Sequence, residues 1–169
     1  MQLQRKWLGR ATTRDEVAAG DLVVIPRGAG SVLALRTRDD AANLGIVLAD
    51  FGSGDEETLP CAVYFEVLAD SGDTLRLIDG AVSAEPLTES AADALPIISN
   101  FPLPPGSLAI MKSGDLGIFV PPSSRRDRTL FSLSTGMVLP RGEVGFYQPS
   151  WRLMWRDGDA SLELCRFGG

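Results

Sequence analysis

The stretch AAGDLVVIPRGAGSVLALR, residues 18–36, sets two apolar runs on either side of a proline and a glycine-rich turn. LVVI (22–25) and SVLALR (31–36) are too short for core helices and are bounded by turn residues, so they predict two strands joined by a β-turn. A similar phrase returns at residues 104–117 as PPGSLAIMKSGDLG: a glycine, a small polar residue, four apolar residues, then a turn containing glycine.

Shifting the chain by 86 residues places Gly20 on Gly106, Leu22 on Leu108, Gly28 on Gly114 and Leu44 on Leu130. Gly72 and Asp73 fall on Gly158 and Asp159. Conservative matches lie between them, among them Val32 with Ile118, Phe65 with Trp151 and Val67 with Leu153. Identities are sparse; what favours a repeat is that turn glycines meet turn glycines and apolar faces meet apolar faces. A chain of regular hairpins produces such echoes without any duplication, so both readings stand.

Outward from these phrases the same grammar continues. Further strands are expected at LGIVLA (44–49), AVYFEVL (62–68), TLRLI (74–78), GIFV (117–120), TLFSLS (129–134), WRLMW (151–155) and SLELC (161–165), with LAIM (108–111) inside the second phrase. Alternation puts Val63, Phe65 and Val67 on one face, and Trp151, Leu153 and Trp155 on another. DSGDT (70–74) and RDGDA (156–160) each sit between two such strands and read as hairpin turns. Helix is scarce. Its best candidate, AEPLTESAADAL (84–95), tolerates Pro86 only near its first turn and reads equally well as a linker. The proline-rich SNFPLPPGS (99–107) is expected to run extended.

The fold expected is therefore all-β: two related five-stranded antiparallel halves, residues 1–84 and 85–169, barrel-like or sandwich-like. A short helix or linker across 85–105 joins them, and one pseudo-symmetric domain is an alternative.

Composition narrows function by exclusion. The chain has 169 residues, a net charge of −6 and ordinary globular proportions, with 44% hydrophobic and 22% charged residues. An acidic balance repels a phosphate backbone and argues against nucleic-acid binding. The acidity is uneven: residues 1–84 hold 8 basic and 13 acidic side chains, residues 85–169 hold 8 and 9. No run approaches the length of a membrane helix, and the N-terminus lacks the apolar core of a signal peptide, so a cytoplasmic location and no membrane partner are expected. Cys61 and Cys165 lie in strand-like surroundings and read as packed thiols rather than a disulfide. Arginine outnumbers lysine 14 to 2 and alanine is frequent, the usage of a GC-rich bacterial genome.

There is no histidine. Its absence removes Ser–His–Asp and Cys–His nucleophile pairs, histidine acid–base chemistry and the ordinary zinc and non-haem iron sites. PRGAGS (26–31) is followed by a strand rather than a helix, which makes it a turn and not a phosphate cradle. No cofactor or metal is expected.

Three groups are the candidate binding residues. Arg125, Arg126 and Arg128 in SSRRDRT are the one basic cluster and suit a carboxylate, a phosphate or a charged partner. Asp55, Glu56 and Glu57 in FGSGDEET form an acidic loop that is either simply solvated or a complement to the arginines of the other half or of a second subunit. Trp151 and Trp155 on one strand face are either core or an aromatic stripe for a sugar. The aspartates flanking the two DG-containing turns, Asp70 with Asp73 and Asp157 with Asp159, fit turn geometry and need no catalytic role. The expected function is a non-catalytic binding or assembly protein acting through protein–protein contacts, with a partner or a second copy of itself. A small-ligand (sugar or anion) β module and a histidine-independent Asp/Glu–Arg enzyme are the alternatives.

Overall fold

The structure, a computed structural model, describes residues 8–38, 43–53, 58–69, 74–87, 95–96, 103–121 and 130–168. The chain is almost wholly β. Its strands are β1 Arg10–Thr12, β2 Leu22–Arg27, β3 Gly30–Arg38, β4 Asn43–Asp50, β5 Cys61–Tyr64, β6 Leu75–Leu77 and β7 Ala81–Pro86, followed by β8 Leu95–Pro96, β9 Leu108–Met111, β10 Leu116–Phe119, β11 Leu130–Ser132, β12 Val144–Gln148, β13 Trp151–Asp157 and β14 Ala160–Phe167. One helical turn, α1 Phe65–Leu68, follows β5. Every pairing between these strands is antiparallel.

Two compact units emerge. The first spans Met1–Asp79 and takes in Thr135–Met137; the second spans Gly80–Ser134 and Val138–Gly169. In place of two five-stranded halves, the described strands form sheets of six, five and three. Strand β7 crosses the 84/85 boundary expected from sequence and pairs along its whole length with β13, which draws it into the second unit.

The first unit holds the six-stranded sheet, ordered β1-β6-β2-β3-β4-β5. The hairpin of residues 18–36 lies near its centre, with Leu22 opposite Leu35 and Arg27 opposite Gly30. The run LVVI does not alternate, and the reason is burial on both faces: Leu22, Val23, Val24 and Ile25 are all buried. One face packs Val23, Ile25, Val32, Ala34 and Val47 against Phe65, Leu68, Leu75 and Val17.

Two strand expectations fail in this unit. AVYFEVL stops being a strand at Tyr64, because one helical turn delivers both Phe65 and Leu68 to the core while Val67 is left 61% exposed. A continued strand would have turned Leu68 away from Phe65; the i, i+3 spacing of a helix puts them on one side. The expected hairpin at 70–74 also falls. Residues 70–73 lie outside the described residues, but β5 pairs with β4, and β6 pairs with β1 and β2.

The second unit holds the five-stranded sheet β11-β10-β9-β12-β8 and the three-stranded sheet β14-β13-β7. Leu103, Ala109, Met111, Phe119, Leu130 and Val144 form the core of the former. The helix expected over 84–95 is not formed at its described ends: residues 84–86 belong to β7 and Leu95–Pro96 is β8. Ala84 sits opposite Leu153 and Glu85 opposite Arg152, so the sheet takes the backbone bonds a helix would have needed. The end of the proline-rich segment is a tight turn rather than extended chain, with the Ser107 amide donating to Pro104 O at 3.1 Å.

Read from one edge, the two larger sheets share the order β1-β6-β2-β3-β4 and β8-β12-β9-β10-β11. The likeness reaches single bonds. Asp21 N–H donates to Ala18 O, Gly20 N–H to Arg36 O and Arg36 N–H to Asp21 O; Ser107 N–H donates to Pro104 O, Gly106 N–H to Phe119 O and Phe119 N–H to Ser107 O. Gly20 and Gly106 both have positive φ, 93° and 80°, a conformation that suits glycine. The 86-residue offset holds from Gly20 to Leu22 against Gly106 to Leu108 but shifts at the first turn: Arg36 and Phe119, which make the equivalent bonds, are 83 residues apart, so Ile118 corresponds to Leu35 and not to Val32. Phe65 lies in a helical turn and its counterpart Trp151 in a strand, and exposed Val67 falls on buried Leu153.

Candidate functional site

The richest polar constellation among the described residues lies on the three-stranded sheet. Strand β13 alternates in direction, although Met154, on the side of the arginines, is buried as well. Trp151, Leu153 and Trp155 turn to one side and are buried, and Arg152 and Arg156 turn to the other. The apolar side is closed by Phe167, which stacks on Trp151 with ring centroids 5.0 Å apart. On the polar side, cross-strand register sets Arg166, Arg152 and Glu85 in one row, and Glu163, Met154 and Ser83 in the next. A bulge at Leu164 makes this possible. The register shifts between Leu153 and Met154, so Glu163 and Arg166, three apart, share a face they would not share in a regular strand.

The result is a lattice of five charges. Arg152 donates to Glu85 at 3.1 Å and lies 3.8 Å from Glu163. Arg156 donates to the other carboxylate oxygen of Glu85. Arg166 grips Glu163 with two parallel bonds, Nε at 3.1 Å and Nη2 at 2.8 Å. The Arg156 hydrogen bond, more than any other contact, holds the Glu85 carboxyl below its usual range; partial desolvation opposes it and Arg152 assists. Glu163 correspondingly raises the Arg166 guanidinium. Arg152 Nε is buried with no hydrogen-bond partner among the described residues. The outer arginines, Arg156 and Arg166, keep side chains 55% and 54% exposed and hold donors not spent on the glutamates.

A second polar group lies beneath the β10–β11 hairpin. Ser132 Oγ donates to Asp115 Oδ2 at 3.1 Å and lies 3.1 Å from Ser134 Oγ, while Ser134 Oγ donates to Asp115 Oδ1 at 3.3 Å. Leu116 N–H donates to the same carboxylate at 2.8 Å. The aspartate's acceptors are thus taken up within its own hairpin, and the group fixes a turn.

Of the sequence-predicted binding residues, Arg125, Arg126, Arg128, Asp55, Glu56 and Glu57 lie outside the described residues. Trp151 is 0% and Trp155 8% exposed, which places both rings in the core and presents no aromatic stripe to a sugar. Their burial has a donor requirement, met for Trp151 by the Gly106 carbonyl at 2.6 Å. Asp157 and Asp159 flank the β13–β14 turn as the sequence suggested. No disulfide joins the two cysteines; Cys165 is buried and Cys61 half-buried.

The charged lattice was not singled out from sequence, although its signal is present. WRLMWR places arginines at the alternate positions of an aromatic strand, and LELCR puts Glu163 and Arg166 in the partner strand. Only the bulge, which sequence does not announce, tells that the latter two meet. Among the described residues, no group of three His, Cys, Asp or Glu side chains is placed to hold a metal ion, and no helix is long and apolar enough to cross a membrane. No known protein family, curated protein or solved structure matches the chain.

Proposed function

We propose that this chain is a non-catalytic binding or assembly protein that works through protein–protein contacts, using the charged side of the β7–β13–β14 sheet as a contact face. The supporting observation is the lattice itself: Glu85, Arg152, Arg156, Glu163 and Arg166 are held in fixed geometry, with Arg156 and Arg166 more than half exposed at its margin. Paired charges on a rigid sheet lose little rotamer entropy when a partner docks, and arginine is the cation best suited to interfaces. The missing histidines add sequence-level support, because they withdraw the commonest catalytic designs.

A face that carries both signs is complementary to its own copy turned about a two-fold axis. The first partner to test is therefore a second copy of the chain. Native mass spectrometry across a protein dilution series is the experiment, run on the wild type and on the double variant Arg156→Glu, Arg166→Glu. A discrete oligomer that the double variant loses supports the reading. A wild type that is monomeric at every concentration, or an oligomer the double variant leaves intact, refutes self-assembly through this face.

A further inference from the structure

We propose that β7 is the edge through which two copies of this chain join into one continuous sheet, a proposal that rests on the reading of the chain as self-assembling. Strand β7 lies at one end of the β14-β13-β7 sheet, and among the described residues it pairs with β13 alone. All three strands belong to the second unit.

The direction of its backbone groups follows from one bond. Leu87 N–H donates to Ser150 O at 3.1 Å, immediately beyond the pair formed by Pro86 and Trp151. Bonded and non-bonded pairs alternate along an antiparallel ladder, so Glu85, Ser83 and Ala81 also turn their peptide groups toward β13. Val82, Ala84 and Pro86 turn theirs outward. Pro86 has no N–H to give, which leaves Val82 and Ala84 as the outward donors, each with its own carbonyl as an acceptor. Both residues are half-buried, and they sit opposite Trp155 and Leu153 on the apolar side of the sheet.

Two such edges related by a two-fold axis fit in one register. With the axis at Ser83, Val82 of each copy meets Ala84 of the other, and about four backbone bonds form, engaging every outward donor. Moving the axis to Ala84 sets Val82 against Pro86, where a donor is missing. Moving it to Val82 sets Ala84 against Gly80, whose φ of +104° is not a strand conformation. The charges agree with the axis at Ser83. Glu85 then meets Ala81 of the second copy, and beyond that small residue lies Arg156 of the second copy, the cross-strand neighbour of Ala81. Arg156 donates to its own Glu85 and keeps a side chain 55% exposed, so it has donors left for the second carboxylate. The two Glu85 residues stay roughly 13 Å apart along the strands and do not oppose each other.

The experiment is native mass spectrometry of the full chain across a dilution series, together with cysteine cross-linking. The wild type is expected to be a dimer. Ala84→Pro removes an outward N–H and none of the bonds to β13, so its dimer should be at least about tenfold weaker. In Ser83→Cys the two new thiols face each other across the axis, with Cα atoms about 4.5 Å apart and within disulfide reach, and mild oxidation should link the copies. Ala81→Cys, whose copies lie roughly 13 Å apart, should not link. The wild type, with Cys61 and Cys165 alone, is the blank. A wild type that is monomeric at every concentration overturns this edge and the self-assembly reading together. A dimer that Ala84→Pro leaves equally strong overturns the edge alone, because that variant keeps all five charges and the charged face then remains as the contact. Should Ala84→Pro not fold, the cysteines decide: no link in Ser83→Cys, or an equal link in Ala81→Cys, overturns the proposal.

Discussion

The indole nitrogen of Trp151 donates to the carbonyl oxygen of Gly106 at 2.6 Å, and both residues are buried. This bond ties the three-stranded sheet to the turn that launches β9, where Gly106 also donates to Phe119 O. Replacing Trp151 by Phe keeps an aromatic ring near Phe167 but leaves the Gly106 carbonyl without its indole donor. A cost of roughly 1–3 kcal/mol is expected for that lost partner. Trp151→Ala removes the ring as well and should cost about 3–5 kcal/mol. Urea denaturation checks both, with an unchanged m-value as the sign that stability alone has moved. A Trp151→Phe variant as stable as the wild type would show that the bond contributes nothing and packing everything.

The acid limb of stability should depend on Glu85. Its carboxyl is held below its ordinary 4.5, first by the Arg156 hydrogen bond, against partial desolvation and with help from Arg152. A depressed folded-state value means that the unfolded chain binds the proton more readily. The contribution of the pairing is then fully present above the unfolded value and is lost as pH falls through the lower folded value. Glu16 behaves likewise, with Thr13 N–H at 3.0 Å and Thr12 Oγ1 at 3.1 Å on its carboxylate. Thermal midpoints measured from neutral pH to below 4.5 should fall less steeply in Glu85→Gln than in the wild type. A variant curve parallel to the wild-type curve would sink the assignment.

Arg36 should not tolerate lysine. One of its terminal nitrogens spans Arg14 O at 3.0 Å and Val17 O at 2.6 Å while the planar group lies 4.6 Å from the Phe65 centroid. An ammonium is compact and strongly hydrated, and it neither stacks as well nor reaches both carbonyls in the same geometry. Arg36→Lys is expected to destabilise by about 1–3 kcal/mol although the charge is kept. The readout is the chemical denaturation midpoint; a shift within error of zero would mean that charge, not shape, is what this position needs.

How much of this was readable beforehand follows from where local and tertiary forces agree. LVVI, SVLALR, LAIM and GIFV declare themselves because short apolar runs closed by glycine have few other uses, and all are strands. Gly20 and Gly106 were matched from sequence and both need positive φ. RDGDA joins β13 to β14 as its turn residues promised. The failures sit where packing outvotes pattern. Phe65 and Val67 fit a strand face and Phe65 and Leu68 a helix face, and the core takes the second pair. Strands β1, β7 and β8 are short or carry polar residues, and exist because a neighbour supplies their bonds. The charged lattice depends on a bulge, which leaves no local trace.

Three glycines separate the reasons a glycine is needed. At Gly30, φ is ordinary but an added Cβ would overlap the backbone of Phe51 and Gly52, so only a shift of main chain makes room. At Gly114 the surroundings are open and the obstacle is φ, +89°, alone. At Gly142 neither obstacle exists. Alanine should therefore cost most at Gly30, where close-packed backbone must yield by about 1–3 kcal/mol or more. At Gly114 the left-handed penalty of about 1–2 kcal/mol is expected. Alanine at Gly142 should be neutral or stabilise by about 0.4–1 kcal/mol, because it reduces the freedom of the unfolded chain. Unfolding midpoints of the three single variants test the order. A Gly114 variant weaker than the Gly30 variant would mean that the loop carrying Phe51 and Gly52 moves aside easily, and that the close approach at Gly30 is a contact of convenience rather than a constraint.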